Sequence, residues 1–191
     1  MMVRVAISGG IGSGKSAVTA VLRSLGAKVV VADEVNAELL VDPAYIAKIA
    51  DIFPSVVHNN CIDKKELASI VYGDETKRRL LMNVAHPLIF ERMFAAYADE
   101  RIVFYEVPLL SECRDRFDLV WFVDAEEGAR IRRIMDRDGV SEEYAKRVVG
   151  LQKAEDSICD FADVIIPNRY DPDDLRKTVT EQYYLILRHF S

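Results

Sequence analysis

The sequence predicts an α/β fold, a three-layer domain in which helices cover both faces of a five-stranded parallel sheet. Three observations carry this. Five short runs are almost continuously apolar, as buried parallel strands are, instead of alternating. Helical periodicity fills the stretches between them. The first run passes through a cluster of glycines straight into a helical pattern. Of 191 residues, 50% are hydrophobic and 29% charged, which supports a full core and excludes wholesale disorder.

The first strand covers Val3 to Ile7. In the helix after it, Val18, Val21, Leu22 and Leu25 recur at three- and four-residue spacing, and Gly26 ends it. The second strand covers Val29 to Ala32. About 70 residues then precede the third strand, far more than a single crossover helix needs. That stretch is mostly helical by pattern. Asp63 with Glu66 reads as a capping box opening a helix through Val71. Phe90, Met93, Phe94 and Tyr97 form an apolar stripe. The economical reading is a helical lobe inserted at about 34–100.

The third and fourth strands cover Ile102 to Val107 and Leu119 to Val123. A second insertion is expected at about 136–152, where Asp136-Arg137-Asp138-Gly139 breaks one helix and Ser141-Glu142-Glu143 caps the next. The fifth strand covers Val164 to Ile166. Asp171-Pro172 then resembles an N-cap and first-turn proline, with Leu175, Val179, Tyr183, Ile186 and Phe190 along one side of the final helix. The sheet core is thus assigned to 1–33, 101–135 and 153–191. With no repeat and no Pro/Gly/Ser-rich linker, the chain 1–191 reads as a single domain with its insertions.

Lys and Arg number 25 against 31 Asp and Glu, a formal net charge of −6. An acidic surface repels a phosphate backbone, so no nucleic-acid partner is expected. No apolar run approaches the roughly 18 residues of a membrane span, so no membrane partner is expected either. Met1 to Ser8 lack the charged, apolar and small-residue succession of a secretory signal. Cys61, Cys113 and Cys159 are widely spaced and odd in number, unlike a disulfide framework or a zinc knuckle. A reduced, cytoplasmic setting is expected.

The sharpest motif is Gly9-Gly10-Ile11-Gly12-Ser13-Gly14-Lys15-Ser16, which fits G-x-x-x-x-G-K-[ST] between a strand and a helix. Glycines let the backbone wrap so that successive N–H groups face one anion, and the helix N-terminus adds partial positive charge. Lys15 suits the β- and γ-phosphates, and the Ser16 hydroxyl suits Mg²⁺. A chance match to the four fixed positions is on the order of one per cent. The motif implies a P-loop NTPase fold and an ATP site spanning Gly9 to Ala17. The N-K-x-D base-recognition sequence of GTPases is missing, since no asparagine has the right neighbours. Two candidate moving segments suit a phosphotransferase, which must exclude water from the γ-phosphate.

Other residues admit two readings each. Asp33, at the end of the second strand where ligands of parallel sheets bind, serves as proton acceptor or metal-assisting acid, or else as a helix N-cap. Glu106 is a metal-assisting acid or a hydrogen-bonded strand residue. Glu112 orients a substrate lobe or pairs with a cation. Arg130, Arg133 and Arg137 share a helix face, as an exposed cationic stripe or as a source of phosphate contacts from Arg137 and Arg133. His86, ahead of Pro87, reads as a structural turn residue. Lys77-Arg78-Arg79 reads as a solvated helix face.

Collinear motifs resemble the dephospho-CoA kinase family across nearly the whole chain. They are Ser8 through Ser16, Ala32-Asp33, His86-Pro87-Leu88-Ile89, Pro108-Leu109-Leu110-Ser111-Glu112, Arg133 with Arg137-Asp138, Gln152, and Ala162 through Asn168. The resemblance implies a nucleotide-kinase-like P-loop fold with a helical substrate-binding insertion and a lid. It implies ATP-dependent phosphorylation of the ribose 3′-hydroxyl of dephospho-CoA, with ATP and Mg²⁺ required and a monomer or weak oligomer as the working form. Asp33 would be the general base, Lys15 and Arg137 would stabilise the transferred group, and Asn168 would border the adenine. His86, Pro87, Leu110 and Glu112 would meet the substrate. Another small-molecule kinase, for a nucleoside or nucleoside monophosphate, is the alternative, and a regulatory nucleotide-binding protein a second. The chain departs from the family pattern at Val31, Lys64, Ile158 and Pro167.

Overall fold

Central position in a parallel sheet requires a strand that is apolar on both faces. Val5, Ala6 and Ile7 of β1 (Val3–Ser8) meet that demand and are wholly buried. β5 (Ile102–Glu106) and β6 (Leu119–Asp124) flank it in parallel, with Val5 in register with both Phe104 and Leu119. β7 (Val164–Pro167) extends the sheet beyond β6, and β2 (Lys28–Val31) lies beyond β5. The order is β2-β5-β1-β6-β7. The strands next in sequence lie on one side of β1 and the later pair on the other, so the chain's loop after β1 falls where the winding reverses, the ligand edge of such sheets.

The computed structural model describes residues 2–108, 110–152, 156–169 and 171–190, without the side chain of Glu112. It comprises two units, Met1–Val30 with Tyr97–Ser191, and Val31–Ala96. In the sheet unit, α1 (Lys15–Ser24) packs with α8 (Pro172–His189). Phe104 meets Trp121 edge-on at 5.1 Å between ring centroids and Tyr183 at 5.9 Å. Such aromatic packing is worth about 1 kcal/mol per pair beyond area burial. α1 ends as Gly26 predicted: its φ is +84°, Gly26 N donates to Arg23 O, and Ala27 N donates to Leu22 O. α6 (Glu127–Asp138) stops at Gly139, φ +65°, and α7 (Glu142–Leu151) starts at Ser141, whose Oγ accepts from Tyr144 N. Ile131, Ile134, Ala145 and Val149 close the space between these two helices. Asp171 caps α8 through Asp173 N at 2.8 Å, with Pro172 in the first turn.

The second unit holds α2 (Ala32–Leu39), α3 (Pro43–Ile52), a hairpin of β3 (Val57–His58) and β4 (Cys61–Ile62), α4 (Lys64–Val71) and α5 (Glu75–Ala95). The hairpin is an element that the mostly helical reading of this stretch did not include. Asn59 and Asn60 take φ of 49° and 60°, the conformation a two-residue hairpin turn needs and asparagine tolerates. Asp63 caps α4 through Lys65 N and Glu66 N, both at 2.9 Å. The reciprocal half of the capping box is replaced, because the Glu66 carboxylate meets His58 Nε2 at 3.0 Å. Tyr97 leaves the apolar stripe: α5 ends at Ala95 and Tyr97 adopts φ +57° with its ring half exposed. His86 is not a turn residue, since both it and Pro87 lie inside α5.

Candidate active site at the phosphate loop

Ser8 ends β1 and Lys15 begins α1, so the intervening residues carry the whole reversal. Gly9, Gly12 and Gly14 take φ of 145°, 77° and 98°, closed to most side chains. Space forbids side chains as well. A Cβ on Gly9 would approach Val123 O to 2.5 Å, one on Gly12 would approach Arg130 O to 2.7 Å, and one on Gly14 would run into Asn168 Nδ2.

Outside groups take up the loop's carbonyls. Arg133 Nη1 donates to Gly12 O and to Ser13 O, each at 3.1 Å. Asn168 Nδ2 donates to Ser13 O at 2.7 Å. Arg130 Nε donates to Ile11 O at 3.0 Å, and Gln152 Oε1 accepts from Ile11 N at 2.9 Å. Among the described residues, the amides of Gly12, Gly14 and Ser16 have no acceptor within the chain. The Lys15 ammonium sits within the same turn, 2.6 Å from Gly9 O. Donors, a cation and a helix N-terminus therefore converge, an arrangement that suits a polyphosphate.

Ser16 is exposed on the first turn of α1. Three residues on, the Thr19 hydroxyl lies 3.0 Å from Ser16 O and 3.2 Å from Glu106 Oε2. The hydrogen-bonded reading of Glu106 therefore holds, and the bond keeps its carboxylate against α1. No cluster of three His, Cys, Asp or Glu suited to a metal occurs among the described residues. An exposed hydroxyl such as that of Ser16 fits Mg²⁺, which takes most of its ligands from phosphate and water.

The arginine stripe divides three ways. Arg130 is 6% exposed, contrary to the solvated reading, and its Nη1 meets Asp156 Oδ1 at 2.8 Å. Arg133 is half-buried against the loop, where its Nη2 also donates to Asn168 O at 3.2 Å and Arg169 O at 3.1 Å. Arg137 stays exposed and forks onto Asp138 at 2.7 and 2.8 Å. That hydrogen bond raises the Arg137 pKa and lowers the Asp138 pKa. Asn168 is buried and turned to Ser13, so its amide braces the loop.

Asp33 is exposed in the first turn of α2. It is not the N-cap that the alternative reading offered, because β2 ends at Val31 and Ala32 is already helical. His86 packs edge-on against Phe90 at 6.1 Å, and Pro87 is exposed on α5. Leu110 is wholly buried, so its side chain anchors its turn and does not face solvent. The Glu112 side chain and Leu109 lie outside the described residues. Lys77, Arg78 and Arg79 form ion pairs with Asp74 and Glu75 along their own helix.

This loop at the reversal point of a five-stranded parallel sheet defines a P-loop fold. A shikimate kinase from Bacteroides thetaiotaomicron shares that fold (TM-score 0.53, 19% identity, 97% of this chain and 99% of that one). The model of the dephospho-CoA kinase family matches residues 3–174, and the chain belongs to that family, whose enzymes complete coenzyme A biosynthesis. Dephospho-CoA kinases from Thermobifida fusca and Moorella thermoacetica are each 33% identical, covering 94% and 98% of this chain and 94% and 93% of theirs. Among solved structures, TT1252 from Thermus thermophilus superposes with TM-score 0.84 at 28% identity over 100% of this chain and 98% of that one. The dephospho-CoA kinase from Campylobacter jejuni gives 0.65 at 26% identity, covering 96% of each.

Proposed function

We propose that the chain performs its family's reaction by moving the γ-phosphoryl group of ATP onto the ribose 3′-hydroxyl of dephospho-CoA, on the residues described above. The observation that carries this is the turn from Gly9 to Ser16, where the unengaged amides of Gly12, Gly14 and Ser16 share one turn with the Lys15 ammonium. Its amides hold the β- and γ-phosphates, and Lys15 neutralises charge as it develops on the transferred group. Ser16 would hold Mg²⁺, with Glu106, kept against α1 by Thr19, as the assisting acid, and the ion would supply charge neutralisation at the transferring phosphoryl group.

Asp33 takes the proton from the attacking hydroxyl, supported by its exposed carboxylate at the start of α2. The segment at about 34–100, with His86 and Pro87, binds dephospho-CoA, and Leu110 and Glu112 take part in holding that substrate. The segment at about 136–152 acts as the lid, and Arg137 exchanges Asp138 for phosphate when it closes. The enzyme works in the cytoplasm as a monomer or weak oligomer. In support, no helix among the described residues is long and apolar enough to cross a membrane. Mass spectrometry of dephospho-CoA incubated with ATP, Mg²⁺ and the protein should show a gain of one phosphoryl group at the 3′-position. Formation of ADP without that product, or neither, would refute the assignment.

A further inference from the structure

Arg130 holds a buried charge that the phosphate-transfer scheme leaves unused. Its side chain is 7% exposed, its Nε donates to Ile11 O at 3.0 Å, and its Nη1 pairs with Asp156 Oδ1 at 2.8 Å. Asp156 itself is 42% exposed, so the carboxylate keeps part of its hydration while the guanidinium does not. Nη2 is buried and has no hydrogen-bond partner among the described residues. The same nitrogen lies where a side chain on Gly10 would go. Leaving a charged donor desolvated and unpaired costs more than a typical hydrogen bond returns, so a functional reason is required.

We propose that Arg130 is a positioning residue for ATP. Resting on the reading of residues 9–16 as the ATP site, it braces the turn from behind. The bond to Ile11 O fixes the peptide just ahead of Gly12, one of the free amides. The contact with Gly10 explains why that position is glycine although its φ is not positive. The guanidinium lies directly against the turn, its charge shared with Asp156 and its Nη2 uncommitted, so a buried donor and a poorly screened cation back the place a polyphosphate meets. Arg133 repeats the bracing one helical turn on but commits both terminal nitrogens to carbonyls. Of the terminal nitrogens of the two, Arg130 Nη2 alone is left uncommitted.

The test compares Arg130→Lys, Arg130→Met and Asp156→Asn with Lys15→Ala in the full-length enzyme, by ATP titration and steady-state kinetics. Arg130→Met should raise the KM and Kd for ATP about tenfold, a loss of about 1.4 kcal/mol. It should leave kcat within about threefold and the KM for dephospho-CoA unchanged. Arg130→Lys, which keeps the charge and loses the fork, should recover part of that ATP affinity. Asp156→Asn, at a half-exposed site, keeps an acceptor for Nη1 and serves if Arg130→Met fails to fold. Because it removes the negative charge beside the guanidinium, it should shift ATP affinity less than Arg130→Met and in the opposite direction. The proposal is overturned if the ATP Kd is unchanged in all three variants while Lys15→Ala loses ATP. It is also overturned if thermal stability falls and both KM values move together, the mark of a merely structural role. If Lys15→Ala too binds ATP normally, the site assignment itself fails.

Discussion

Asp33 shows how much one residue's place in the backbone matters. Because Ala32 is already helical, Asp33 enters the first turn of α2, where its carboxylate is exposed. Asp33→Asn keeps shape and hydrogen-bonding capacity and removes basicity. It should leave ATP affinity within a few-fold and lower turnover by about 10²-fold, read from steady-state kinetics and nucleotide titration. Near-normal turnover would remove Asp33 from proton transfer. Leu110 teaches the opposite lesson. Its place in a family-like motif made it a substrate contact by resemblance, yet complete burial gives it a packing role, as its apolar side chain alone would suggest.

At the scale of elements, helix starts were the most legible feature, because a cap is a local interaction between a side chain and amides two or three residues on. Asp63, Ser141 and Asp171 all cap as their spacing indicated. The β3–β4 hairpin escaped because four strand residues carry no periodicity. Its one signal was Asn59-Asn60 between apolar residues, a pair suited to positive φ. Charges along α5 give a pH prediction. Arg78 and Arg79 hydrogen-bond Glu75 and pull its pKa from 4.5 to about 2. A depressed folded-state pKa gives stability that is present above 4.5 and lost as pH falls toward about 2. Glu75→Gln should therefore differ from the parent near neutrality and converge with it in acid. High salt should shrink the difference, since these groups are exposed. Circular dichroism across acid unfolding, at two salt concentrations, measures this.

For the whole molecule, the sheet unit brings to the phosphate turn groups from four separate places in the chain, Arg130 with Arg133, Gln152, Asp156 and Asn168. ATP should accordingly stabilise the folded chain by mass action. At a hundredfold excess over Kd the gain is about 2.7 kcal/mol, or about 5 to 10 °C in Tm for a chain of this size. Lys15→Ala should abolish most of that shift while leaving the ligand-free Tm nearly unchanged. A full shift in the variant would disconnect Lys15 from ATP. Strand positions, helix caps and the phosphate motif followed from the amino-acid order alone, because apolar runs, glycine freedom and caps act over a few neighbouring residues. The sorting of three arginines at helical spacing into a buried brace, a half-buried clamp and an exposed ion pair did not. Arg133 and Gly12 stand 121 positions apart, and such partners exist only once the sheet has folded them together.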